Sequence, residues 1–177
     1  MIEIGNNDIG IIIVGYSGIG KSYLADKLLS KSKKVLDLDI SSFRWLYNSD
    51  GDLILDDNGD KIELTNWCEI YINAAFSKIK DYDIILMSAA KDVVDALSNM
   101  NSGNVYIVTP DNGSKDVYVN RYRSKETFDK LVNNYSNTHD SKVDYLLSKD
   151  NKIVLSNEEY LSDRIVEKDG NIYLKED

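Results

Sequence analysis

The stretch "GIIIVGYSGIGKSYLADKL" (10–28) sets glycines at 15, 18 and 20, then Lys21 and Ser22, between an unbroken apolar run and an amphipathic one. Residues 9–14 are mostly β-branched and bounded by Gly10 and Gly15, which reads as a strand buried on both faces. Residues 22–30 carry Leu24, Leu28 and Leu29 on one stripe with charges opposite, which reads as a helix. The spacing Gly15-x-x-x-x-Gly20-Lys21-Ser22 fits a turn that wraps phosphate between a strand and a helix. Phosphate oxygens need converging N–H donors and positive charge, and a helix N-terminus supplies both. A tight wrap leaves no room for Cβ atoms, hence glycine at 15, 18 and 20. Tyr16, Ser17 and Ile19 then matter through their backbone N–H groups, as do Gly18, Gly20, Lys21, Ser22 and Tyr23. Lys21 is expected at the β- and γ-phosphates and the Ser22 hydroxyl at Mg²⁺. A chance match in a chain of this size has odds of about one in a hundred.

The remaining chain agrees with this start. Apolar strands are expected at 34–39, 83–89, 104–110 and 152–155, alternating with helices at 65–79, 91–100, 114–123, 126–135 and 141–149. Thr65 is the expected cap of the second long helix, and Cys68, Ile72, Ala75 and Ile79 its apolar face. The Asp-Gly and Asn-Gly dipeptides in 49–64 suggest an inserted hairpin. The segment after 156 fits a helix followed by a strand, or a hairpin around Asp169 and Gly170. The pattern predicts one α/β domain over 1–177: a five-stranded, mostly parallel sheet with helices on both faces, a three-layer P-loop fold.

Composition narrows the partners. A net charge of −9 repels polyanions and excludes non-specific contact with nucleic acid or an anionic membrane, but not a small phosphorylated ligand. One cysteine, Cys68, rules out an intramolecular disulfide and fits a reducing compartment. The first residues lack a basic leader, and residues 11–14 are too short a run to span a bilayer, so the expectation is a cytoplasmic monomer or homodimer.

From nucleotide binding to a reaction, "VLDLDISSFRW" is the informative segment. In an open α/β sheet, ligands sit outside the carboxyl ends of the strands. Asp37 and Asp39 end the second strand, which brings Asp39 near the loop. A carboxylate there can orient a Mg²⁺-bound water, hydrogen-bond an acceptor hydroxyl or act as a general base. Arg44 is placed to clamp an acceptor phosphate, and Ser41 and Ser42 either touch the acceptor or cap a helix. The strand "DIILMSAAK" ends in Ser88 rather than an acid, which argues against a motor ATPase. No N-K-x-D string marks a GTPase.

These segments resemble the small P-loop kinases typified by adenylate kinase, shikimate kinase and phage-encoded nucleotide kinases. "DLDISSFRW" is similar to their acceptor-binding stretch, and its paired aspartates resemble those of shikimate-type kinases. "VYIVTPDNGSKDVYVNRYRSKETF" is similar to their fourth strand and arginine-bearing lid. The resemblance covers about residues 9–155 in element order, with an acceptor insertion at 39–64 and a lid at 114–135. It implies ATP with Mg²⁺ held by Ser22, Asp37 and Asp39, catalytic roles for Lys21, Asp39, Arg121 and Arg123, and Ser41, Ser42, Arg44 and Lys91 toward the acceptor. The implied reaction is phosphoryl transfer to a small acceptor, foremost a (deoxy)nucleoside monophosphate. A metabolite hydroxyl as acceptor, or a nucleotide-binding protein without transfer, are the alternatives. Departures from the pattern include Lys91 where an acceptor-side arginine is usual, and the acidic 49–64 segment. His139 falls in a polar string and is expected in a solvated loop, while Trp45, Trp67 and Cys68 are expected to pack.

Overall fold

The computed structural model describes residues 1–4, 9–29, 33–100, 102–126, 128–169 and 171–176, with only the backbone of Leu29. Five strands form one parallel sheet: β2 (Ile11–Gly15), β3 (Val35–Asp37), β4 (Ile84–Ser88), β5 (Val105–Pro110) and β6 (Lys152–Leu155), in the order β3-β4-β2-β5-β6. β2 and all of β4 but its last residue are buried, as a sheet covered on both faces requires.

Right-handed crossovers from this order place α1 (Lys21–Leu29) on one face. The same rule places α3 (Trp67–Lys78), α4 (Lys91–Asn99) and α6 (Asp129–Leu147) on the other, with α2 (Ser41–Arg44) and α5 (Lys115–Arg123) attached to that layer. Asp95 of α4 receives Tyr145 and Lys149 from the end of α6, which locks those two elements together. This is the expected three-layer P-loop arrangement, with the glycine-rich loop at the carboxyl edge of the central strand.

Several features depart from expectation. Residues 126–135 and 141–149 are not separate helices, because Val132, Tyr135, His139, Val143 and Leu146 form one buried stripe along α6. His139 is therefore not a solvated loop residue; it is 1% exposed, packed on Tyr16, Tyr118 and Tyr135. A second sheet also exists: β1 (Ile2–Ile4) pairs antiparallel with β8 (Asn171–Leu174), which pairs with β7 (Ile165–Lys168). The tail thus takes the hairpin alternative, preceded by a short 3-10 helix (Leu161–Arg164) whose Leu161 is fully buried. Ile4, Ile172 and Leu174 bury the apolar face of this sheet in the core.

The 49–64 insertion folds as two tight turns rather than one hairpin. Asn48 accepts from the N–H groups of Asp50 and Asp52, and Asp56 from those of Asn58 and Asp60. Gly51 and Gly59 supply the positive φ that each turn requires. Isolated bridges Trp45–Glu63, Tyr47–Leu53 and Leu55–Lys61 hold the segment, and its acidic residues face solvent. α3 begins at Trp67 behind Asn66, without a side-chain cap, so Thr65 lies outside it. Trp67 packs in the core and Cys68 lies half-buried beside it.

Candidate active site

The glycine-rich loop is defined by where its backbone groups point. The carbonyls of Gly15, Tyr16, Ser17, Ile19 and Gly20 each accept a bond from the protein: Ala89 N–H and Lys21 Nζ on Gly15, Lys21 Nζ on Tyr16, Tyr135 Oη on Ser17, Leu161 N–H on Ile19, and Leu24 N–H on Gly20. The N–H groups of residues 17–23 find no acceptor among the described residues. Backbone donors left unpaired in a row can converge on an anion, and with five of the six carbonyls of residues 15–20 engaged elsewhere the hollow is rich in donors. Gly18 and Gly20 both have φ of 91°, and a Cβ on Gly15 would meet Ile19 Cδ1 at 2.3 Å. The glycines therefore sit where the chain cannot carry a side chain.

The Lys21 amine is tied to the loop itself, 2.8 Å from the Gly15 carbonyl and 3.2 Å from that of Tyr16. No carboxylate lies within ion-pair distance of it among the described residues, and burial pulls its pKa down to about 8. A desolvated cation and a row of bare N–H groups on one loop make a site for an anion. Beneath the loop, Tyr16, Tyr118, Tyr135 and His139 make an aromatic floor with ring centroids 5.5 to 6.2 Å apart. Burial pushes the Tyr16 and Tyr118 hydroxyls up to about 12, so both keep their protons.

One residue past the lysine, the Ser22 hydroxyl donates to Asp37 Oδ2 at 2.8 Å. A hydroxyl and a carboxylate side by side at the loop are hard oxygen donors that fit Mg²⁺. Among the described residues no group of three or more His, Cys, Asp or Glu could hold a metal by itself. Such a pair suits a cation that shares its coordination with phosphate oxygens. Asp39 lies farther along: it accepts from the backbone N–H and hydroxyl of Ser41 at the start of the short α2, whose N-cap is Ile40. Ser42 is exposed at the start of α2.

Two cavities meet at the loop. One, of about 450 Å³, is lined by Gly18, Gly20, Tyr23, Arg121, Lys125 and Tyr160. Arg121 stacks on the Tyr160 ring at 3.8 Å and donates to the carbonyls of Glu159 and Asn157. Arg123, exposed, lines neither cavity. The other, of about 400 Å³, is lined by Ser17, Ile40, Arg44, Ser88, Lys91 and Lys142 among others. Arg44 reaches this wall already engaged: Nε and Nη2 hold Glu63 at 3.2 and 3.0 Å, between the Trp45 and Trp67 rings. Lys91 pairs with Asp95 at 2.8 Å. Lys142 carries no ion pair among the described residues.

Tyr160, Lys125, Lys142, Tyr118, Tyr135 and the side chain of Tyr16 were not expected at the site from the sequence. Tyr160 follows the last parallel strand, so the rule that ligands gather beyond strand carboxyl ends would have pointed to it. Lys142 could be found only after α6 was seen as one helix.

Neither protein-family models nor curated proteins match the chain. Among solved structures, a gluconokinase from Sinorhizobium meliloti 1021 aligns with TM-score 0.49 and 13% identity, covering 88% of this chain and 86% of that one. A shikimate kinase from Bacteroides thetaiotaomicron aligns with TM-score 0.47 and 14% identity, covering 82% and 85%.

Proposed function

We propose that the protein is a P-loop kinase that transfers the terminal phosphoryl group of ATP to a small acceptor. The observation that carries this reading is the run of N–H groups at 17–23 without an acceptor among the described residues, on the same loop that holds the Lys21 amine. Those groups hold the donor phosphates, and Lys21 neutralises charge on the phosphoryl group in transit. Ser22 and Asp37 are the residues that would hold Mg²⁺, which when bound supplies charge neutralisation and orientation of the phosphates. The base of the donor takes the 450 Å³ cavity, where the Arg121–Tyr160 stack offers flat apolar surface. The acceptor takes the 400 Å³ cavity on the other side of the loop. Catalysis is then positioning plus charge stabilisation of an in-line transfer.

The cations Arg44, Lys91 and Lys142 along the acceptor cavity support an anionic acceptor, and a (deoxy)nucleoside monophosphate is the first reading. One observation favours a second, a non-nucleotide metabolite carrying a hydroxyl. Arg44, the one arginine on that wall, is already bound by Glu63, which leaves lysines alone to meet a phosphate. A panel of nucleoside monophosphates, sugar acids and hydroxy acids, with ADP formation from ATP as readout, separates the two. Turnover only with hydroxyl-bearing metabolites removes the nucleotide reading. No acceptor-stimulated ADP formation at all removes both.

A further inference from the structure

In a parallel ladder, a strand residue donates its N–H to one neighbour and accepts from the residue two farther along. Leu38 obeys the first half: its N–H bonds the Leu86 carbonyl at 2.9 Å. The second half should be Ser88 N–H on the Leu38 carbonyl. Instead, Ser88 N–H donates to the Tyr71 hydroxyl at 2.9 Å, and that hydroxyl donates to the Leu38 carbonyl at 2.8 Å. Two hydrogen bonds in series occupy the place of one. A hydroxyl from α3 is driven into the last rung between β3 and β4, and the strands are parted at their carboxyl ends.

What leaves the parted rung is the acceptor cavity. Ile40 and Arg44 lie past the β3 side of the split, and Ser88, Ala89, Ala90 and Lys91 form the β4 side. Asp37, one residue before Leu38, carries the bond to Ser22. Tyr71 is fully buried and lines neither cavity, so it touches no ligand. Its ring is held by Phe43 of α2, with centroids 5.2 Å apart. Burial raises its pKa, so the hydroxyl keeps the proton that lets it donate and accept together.

We infer that Tyr71 is a positioning residue whose hydroxyl, wedged between Leu38 and Ser88, sets the width of the acceptor cavity. The kinetic part of this inference rests on the phosphoryl-transfer reading; the wedge does not. Two measurements test it. In the isotope-labelled wild-type protein, coupling through hydrogen bonds connects Leu38 N to Leu86 C′ and is absent between Ser88 N and Leu38 C′, while the Ser88 amide exchanges slowly. A Ser88–Leu38 coupling overturns the wedge whether or not any acceptor is turned over and whether or not a variant folds. In Tyr71→Phe, the acceptor KM rises at least tenfold while the ATP KM stays within twofold. Unchanged kinetics, or equal rises in both KM values, reduce Tyr71 to a core residue and overturn the positioning role. Absence of turnover in the wild type counts against the kinase reading alone, and the coupling then decides the wedge.

Discussion

The Ser22 hydroxyl and the Asp37 carboxylate, from the first turn of α1 and the last residue of β3, meet at 2.8 Å, although β4 lies between β3 and the strand that leads into α1. Both groups are exposed. A surface hydrogen bond of this kind adds little stability, so its interest lies in what it presents beside the loop. Asp37→Asn is expected to leave stability within about 0.5 kcal/mol and to weaken the Mg²⁺ dependence of ATP binding by about 10- to 100-fold. Titrating ATP at several Mg²⁺ concentrations checks this.

Lys21 titrates at about 8 in the folded chain against 10.5 ordinarily, because burial disfavours its charge. Between those values the unfolded chain holds a proton that the folded chain has shed, so this residue makes stability rise with pH across the window. Wild type compared with Lys21→Met by denaturation at pH 8 and pH 10 should show the wild type gaining relative to the variant. Bound phosphates restore the charge, so ATP binding near pH 8.5 takes up a proton. Calorimetry in buffers of different ionisation enthalpy reads that uptake, which Lys21→Met lacks.

Gly20→Ala puts a Cβ 3.1 Å from Tyr160 Cδ1 at a φ of 91°. The backbone term alone costs about 1–2 kcal/mol, and the loop's N–H groups shift off their common focus. Denaturant midpoints should fall and ATP affinity should fall further than the stability loss explains.

Arg121→Ala removes the stack on Tyr160 and two bonds to the loop at 157–159. A loss of about 1.4 kcal/mol corresponds to a tenfold rise in ATP KM, with acceptor KM within about twofold. Arg123→Ala provides the contrast: Arg123 is exposed and lines neither cavity, so its kcat tests whether the 114–135 segment, expected as a lid, brings it to the phosphates at all.

Arg44 is both wall and strut. Arg44→Ala is expected to raise acceptor KM more than ATP KM and to cost about 1–2 kcal/mol through two lost cation–π contacts and the Glu63 pair. Glu63→Gln separates the roles: it frees the guanidinium toward the cavity, and acceptor KM should fall for a phosphorylated acceptor.

What was legible in the sequence was local. Glycine spacing, the apolar run before it and the leucine stripe after it led to a strand, a loop and a helix that the structure contains at β2 and α1. The alternation of strands and helices likewise foretold the parallel sheet. What escaped was set by tertiary contact. His139 sits among Asn, Thr, Asp and Ser, and only the packing of Tyr135, Val143 and Leu146 at helical spacing reveals a buried face. The short β1 becomes a strand because β8, some 170 residues later, pairs with it (Ile2 with Leu174). At the site, Asp37 and Arg44 lay in the expected segment. Glu63 claiming Arg44, and Tyr71 entering the β3–β4 ladder, depend on how the insertion and α3 fold back, which no spacing in the sequence records.

The loop at residues 15–22 as a seat for the phosphates of ATP is the claim on which the rest stands, and calorimetric titration of the wild type and Lys21→Ala with ATP and Mg²⁺ tests it most directly. Saturable one-site heat in the wild type, lost in a Lys21→Ala protein with unchanged circular dichroism, is the result expected. No heat in the wild type, or equal heat in both proteins, contradicts it.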